Sequence, residues 1–200
     1  MEISADSVKE LRVKTGAGIM DCKEALKVSS GNFEKALDFL REKGLSAATK
    51  KSSRATKDGL VTSYIHMGGK VGVMIEVNCE TDFVAKTEEF KTLTRDLAMH
   101  VAAMNPLYVK PEDVPEAAVQ REKDIYHKQV IAEGKPEKIA DKIVEGKLKK
   151  YYEEVCLLKQ KFIRDTAVTV EDLIKASIAK TGENILVKRF VRYQLGGDEA

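Results

Sequence analysis

Asn78-Cys79-Glu80-Thr81-Asp82-Phe83-Val84-Ala85-Lys86 is the stretch on which the fold turns. Before it, Lys70 to Cys79 alternates as a strand does, with Val71, Val73, Ile75 and Val77 on one face. After it, Thr87 can cap a helix that ends near Met104, with Pro106 just beyond. Phe90, Leu93, Leu97, Val101 and Met104 recur there at helical spacing. A carboxylate and a large aromatic therefore stand at a strand-to-helix junction, a surface position of the kind where function concentrates. Phe83 lies seven residues before Phe90. An unbroken helix would draw Phe83 into the buried stripe, and a break would turn it outward. Periodicity leaves both readings open.

Working outward, Leu60 to Met67 is a second strand, with Val61, Ser63, Ile65 and Met67 on one face. Gly68-Gly69 reads as a two-residue hairpin turn joining the two strands, and Gly72 leaves room for a close approach. A third strand, Ile185 to Leu195, follows a helix from Val170 to about Thr181, capped by Thr169 and stopped by Gly182. Between these strands a charged helix runs to about Glu133. Gly134-Lys135-Pro136 breaks it, and Ile139, Ile143, Val144, Leu148 and Tyr152 stripe a returning helix. Residues 3 to 44 read as three short helices. Val8 and Leu11 face inward on the first, Met20, Ala25 and Leu26 share a side of the second, and Phe33, Ala36, Leu37 and Leu40 stripe the third. Ser4 and Asn32 are caps, and Gly44 is the expected stop. The predicted architecture is α+β. A three-helix module over 1–45 and a basic linker over 46–59 precede a core over 60–200, in which helices cover a small antiparallel three-stranded sheet and an antiparallel helical hairpin spans about 115–155.

Charge is dense but balanced, 34 Lys and Arg against 32 Asp and Glu, so a net +2 announces neither a nucleic-acid binder nor an acidic tail. No apolar run approaches the ~18 residues of a membrane span. Met1-Glu2-Ile3-Ser4-Ala5-Asp6 has no basic segment followed by an apolar one, so no signal peptide and no membrane partner are expected, and the cytoplasm is the expected compartment. Cys22, Cys79 and Cys156 are odd in number, far apart, and form no ligand cluster with His66, His100 or His127, which fits reduced thiols and neither metal nor cofactor. Gly16-Ala17-Gly18-Ile19-Met20-Asp21 begins like a dinucleotide fingerprint, but Asp21 stands at the third glycine and no strand precedes it. Gly69-Lys70 lacks the other parts of a phosphate loop. With no catalytic constellation, the expectation is a non-enzyme working through its surfaces. Lys50, Lys51, Arg54 and Lys57 offer an alternative, an RNA-binding accessory protein. No aromatic interleaves those charges, so a solvated tether without direct nucleic-acid contact is preferred.

Leu11-Arg12-Val13-Lys14-Thr15-Gly16-Ala17-Gly18-Ile19-Met20-Asp21-Cys22-Lys23-Glu24-Ala25-Leu26 resembles the N-terminal signature of the bacterial elongation factor Ts family. Ile19 stands where Met is usual. Glu76 to Ala85 resembles the family's second signature, and Gly134-Lys135-Pro136, Ile143-Val144-Glu145-Gly146 and Gly182-Glu183-Asn184-Ile185 resemble further regions in the family's order. The resemblance covers essentially the whole chain. It implies a nucleotide-exchange factor for the GTPase elongation factor Tu, with an N-terminal module like ubiquitin-associated domains. At 200 residues the chain resembles the family's short form, which implies one core half and a homodimer. Carried over residue by residue, Thr81, Asp82, Phe83 and Val84 would insert into the partner's GTP-binding domain and dislodge its Mg²⁺. Arg12, Ile19, Met20 and His66 would make further contacts with the partner.

Overall fold

A computed structural model describes residues 3–197. In chain order it contains α1 (Ala5–Thr15), α2 (Ile19–Val28), α3 (Phe33–Lys51), β1 (Asp58–Ile65), β2 (Val71–Cys79), α4 (Asp82–Ala85), α5 (Glu88–Met104), α6 (Glu116–Ala132), α7 (Glu137–Val155), β3 (Lys161–Phe162), β4 (Asp165–Thr169), α8 (Val170–Thr181) and β5 (Leu186–Gln194). The fold is α+β. β1, β2 and β5 form a small antiparallel sheet in the order β1-β2-β5, and β3 with β4 forms a two-stranded hairpin.

Two compact units divide the chain. The first gathers the residues up to Thr62, Glu76–Arg95 and Asp172–Val187. Its helices α1 to α3 close around Leu11, Cys22, Ala25, Leu26 and Ala36. The Ser4 hydroxyl oxygen accepts from Ser7 N–H, and the Asn32 side-chain oxygen accepts from Lys35 N–H, so both caps satisfy helix donors that have no partner within their own helix. Two expectations change here. Met20 does not share the side of Ala25 and Leu26 but is 72% exposed, because Cys22 joins those two on the inward side of α2. Gly44 does not end α3, which continues to Lys51. The space a side chain would need at Gly44 is taken by α8, since a Cβ built there would lie 3.2 Å from that of Ala179. Gly44 thus serves close helix packing, and Arg41 reaches Asp172 at 3.7 Å beside it.

The second unit gathers Ser63–Ile75, Asp96–Glu171 and the residues from Lys188 on. The hairpin loop is longer than the sequence suggests. His66 N–H donates to Val71 O, leaving four residues, Met67 to Lys70, in the loop, with both glycines at positive φ. α6 and α7 form the expected helical hairpin, closed on Val130, Ala140, Val144 and Leu148. The unit also contains a polar hub that no sequence pattern reveals. His100 is fully buried, its Nδ1 accepting from Ile163 N–H at 3.3 Å while its Nε2 bonds Gln160 Oε1 at 3.0 Å. Gln160 passes the link on to Glu154 O at 2.7 Å. These contacts fix the neutral tautomer, because a ring nitrogen that accepts cannot carry a proton.

Burial holds the His100 imidazole below its ordinary value, against the opposing effect of the Gln160 bond. The unfolded chain therefore binds a proton more readily than the folded one, and the resulting stability is complete above the unfolded value and lost as pH falls below it. Thermal unfolding should show a midpoint that is flat above about pH 7 and declines below about pH 6.5. His100→Phe should lose about 1–3 kcal/mol at pH 7.5, from the stranded Gln160 and Ile163 groups, and should flatten the acid decline.

Candidate functional site

The site is built in the first unit where β2 gives way to helix. Cys79 is buried, and its thiol donates to Thr81 O at 3.1 Å. Burial, reinforced by the negative charge of Glu183, pushes that thiol up to about 11, so it remains a donor and not a nucleophile. Thr81 is extended, at φ −133° and ψ 155°, and its hydroxyl oxygen accepts from Val84 N–H as the cap of α4. One turn later the helix fails. Thr87 N–H turns back to Val84 O at 3.0 Å, and the Thr87 hydroxyl donates to the same oxygen at 2.8 Å. That hydroxyl oxygen also accepts from Phe90 N–H at 3.3 Å, so it caps α5 afresh.

The interruption sets the direction of every side chain in α4. Val84 and Ala85 turn inward, 5% and 3% exposed. Phe90 is buried in the stripe of α5, while Phe83 stands 78% exposed and does not join it. Asp82 is exposed beside it, paired with Lys86 one turn on. The Lys86 ammonium holds the Asp82 carboxyl below its usual range, so the group is charged at neutral pH. The junction thus presents an apolar ring and an anion, rooted by two buried residues. Val84, expected among the contact residues, is buried on the inward side of this helix in the free chain.

The loop leading into α4 is tied to the turn between α8 and β5. Glu183 Oε2 accepts from the N–H groups of Glu80 at 3.1 Å and Thr81 at 3.0 Å, and its Oε1 accepts from the Thr81 hydroxyl at 2.6 Å. In return, Glu80 Oε1 accepts from Asn184 N–H at 2.6 Å. The buried Asn184 amide donates to Ser52 O at 3.3 Å and Arg54 O at 2.9 Å.

Arg12, Ile19 and Met20 lie in the same unit, exposed on α1 and α2. Val13, 81% exposed, adds an apolar residue there that the periodicity did not single out. His66 belongs to the second unit, where it is exposed and its Nδ1 lies 3.1 Å from the Tyr64 hydroxyl. Of the basic residues after α3, Arg54 is engaged with Glu80 at 3.5 Å. Among the described residues no group of His, Cys, Asp and Glu could hold a metal ion, and no helix is long and apolar enough to cross a membrane.

Known proteins extend the picture. The family model described as elongation factor TS matches residues 23–197. An elongation factor Ts from Syntrophus aciditrophicus is 67% identical over 196 residues, covering 98% of both chains. One from Thermoanaerobacter sp. is 55% identical over 97% of this chain and 95% of its own. Another from Fervidobacterium nodosum is 56% identical over 98% of this chain and 100% of its own. Similarity this extensive, nearly end to end, shows that the chain belongs to the elongation factor Ts family.

Proposed function

We propose that this member of a translation elongation factor family is the nucleotide-exchange factor of elongation factor Tu. It binds the GDP form and expels GDP. The observation that carries the reading is Phe83, a large apolar ring held out in solvent on a helix whose other face is buried. Leaving such a ring in water forfeits its burial energy, and that energy is recovered when a partner's apolar cleft covers it. Phe83 enters the GTP-binding domain between two helices, and Asp82 makes polar contacts beside it. The displacement draws the partner's phosphate-binding loop away from the β-phosphate and Mg²⁺. Mg²⁺ demands near-ideal octahedral geometry, so a small shift of its ligands releases it.

Magnitudes require more than the ring. A thousandfold acceleration of release needs about 4 kcal/mol of differential binding. Burying one Phe supplies about 1.5–3 kcal/mol. The exposed Val13, Ile19 and Met20, with Arg12, supply the anchor in this reading. Coupling between binding free energies is reciprocal, so a nucleotide whose affinity the factor lowers must in turn loosen the factor.

The same reading has the chain acting as a homodimer, paired through the outer face of the sheet. In the second unit Ile65, Met74, Val191, Tyr193 and Leu195 are exposed. Gly72 lets Ile65 lie flat on that face, where a built Cβ would meet Ile65 Cδ1 at 2.9 Å. Arg192, on the opposite face, bonds Ala102 O of α5. A twofold axis would set this apolar face against its copy.

Fluorescent GDP release from elongation factor Tu tests the exchange reading. Phe83→Ala should slow factor-stimulated release by about ten- to a hundredfold with its own melting curve unchanged. Sedimentation equilibrium tests the pairing. The wild type should weigh twice the 22.2 kDa chain and Met74→Glu should weigh once.

A further inference from the structure

Glu183 touches nothing that chemistry at a nucleotide site requires, yet its carboxylate receives three hydrogen bonds from two consecutive residues at the mouth of α4. Glu80 returns the contact to Asn184 N–H, so two carboxylates, on segments 103 residues apart for the Glu80–Glu183 bond, hold each other's backbone. Asn184, only 3% exposed, carries the tie on to the carbonyls that follow α3. A helix of four residues cannot hold its own orientation, since its formation costs more than it returns. Its direction comes from its ends. The C-terminal end is set by Thr87 and the buried Val84 and Ala85. The N-terminal end is set by Thr81, whose hydroxyl both caps Val84 N–H and donates to Glu183.

We infer that Glu183 is a positioning residue for exchange: it clamps the loop before α4 and so aims Phe83 at the partner. This rests on Phe83 being the exchange wedge. The clamp acts before any partner arrives. It removes orientations that Phe83 would otherwise lose on docking, and force applied through the ring is transmitted to α8 and β5 without bending the loop. Charge matters as well as shape. A carboxylate accepts all three bonds at once, whereas an amide keeps one oxygen for the two N–H donors and turns an NH₂ toward the Thr81 hydroxyl.

The test is GDP release from elongation factor Tu, measured across factor concentration with the full chain. Glu183→Ala should lower the saturated release rate about tenfold or more, with the half-saturating concentration moved less than about threefold, because the anchoring surface is untouched. Glu183→Gln, which keeps the shape but loses the charge and one acceptor oxygen, should recover only part of the rate. Added to Phe83→Ala, Glu183→Ala should cause no further loss, as expected of residues acting through one element. Should the alanine variant unfold, Thr81→Val removes the hydroxyl's bond to Glu183 together with its cap on Val84 N–H, and the same split is expected because both bonds fix the entry to α4. A normal saturated rate in Glu183→Ala beside an impaired Phe83→Ala would overturn the clamp, and so would losses that multiply in the double variant. Normal exchange by Phe83→Ala would overturn the wedge reading itself, and the clamp with it.

Discussion

One interruption of helical hydrogen bonding, at Lys86-Thr87, decides what this surface can do. Were the helix continuous, Phe83 and Phe90 would stand two turns apart on one stripe and both would be buried. Thr87 instead turns its own N–H and hydroxyl back to Val84 O and caps a new helix. The cost is a few backbone bonds of a regular helix. The consequence is a short helix whose apolar content is split, with Val84 and Ala85 inside and Phe83 outside.

Holding a four-residue helix in one orientation is a problem of entropy more than of contact energy. The surrounding chain meets it with side chains of unusual reach. Glu183 closes the entry, Cys79 donates to Thr81 O, and Lys86 pairs with Asp82 across one turn. The last is exposed and adds little stability. Its effect is to tether the carboxylate one turn along the short helix and hold it below its usual range. In the exchange reading proposed above, a rigid mount suits an element that pushes on a partner, since a flexible one would yield first.

Much of this was legible in the residues. Alternation in Val71 to Val77, the stripe Phe90 to Met104, the caps Ser4 and Asn32, and the break Gly134-Lys135-Pro136 are local signals, and each element formed where they lie. The errors arose where distant parts of the chain decide. Gly44 looked like a helix stop because only tertiary packing against Ala179 reveals why a small residue is there. Met20 groups with Ala25 and Leu26 by spacing yet is exposed, because spacing does not say which side of a short helix meets its neighbours. The Gly68-Gly69 pair marked the turn but not its four-residue length. In the site, Asp82 and Phe83 were conspicuous, while Val84's inward anchoring needed coordinates. Glu183 and His100 act through bonds to residues 60 or more positions away, which no periodicity encodes.

The claim most in need of direct test is that the Phe83 ring leaves solvent for the interior of another protein. Placing p-benzoylphenylalanine at position 83 and irradiating the complex with nucleotide-free elongation factor Tu would test it. The account predicts a single dominant crosslink, within an apolar cleft of the partner's GTP-binding domain and lost when GTP displaces the factor. A complex that forms normally yet crosslinks only within this chain, or not at all, would contradict it.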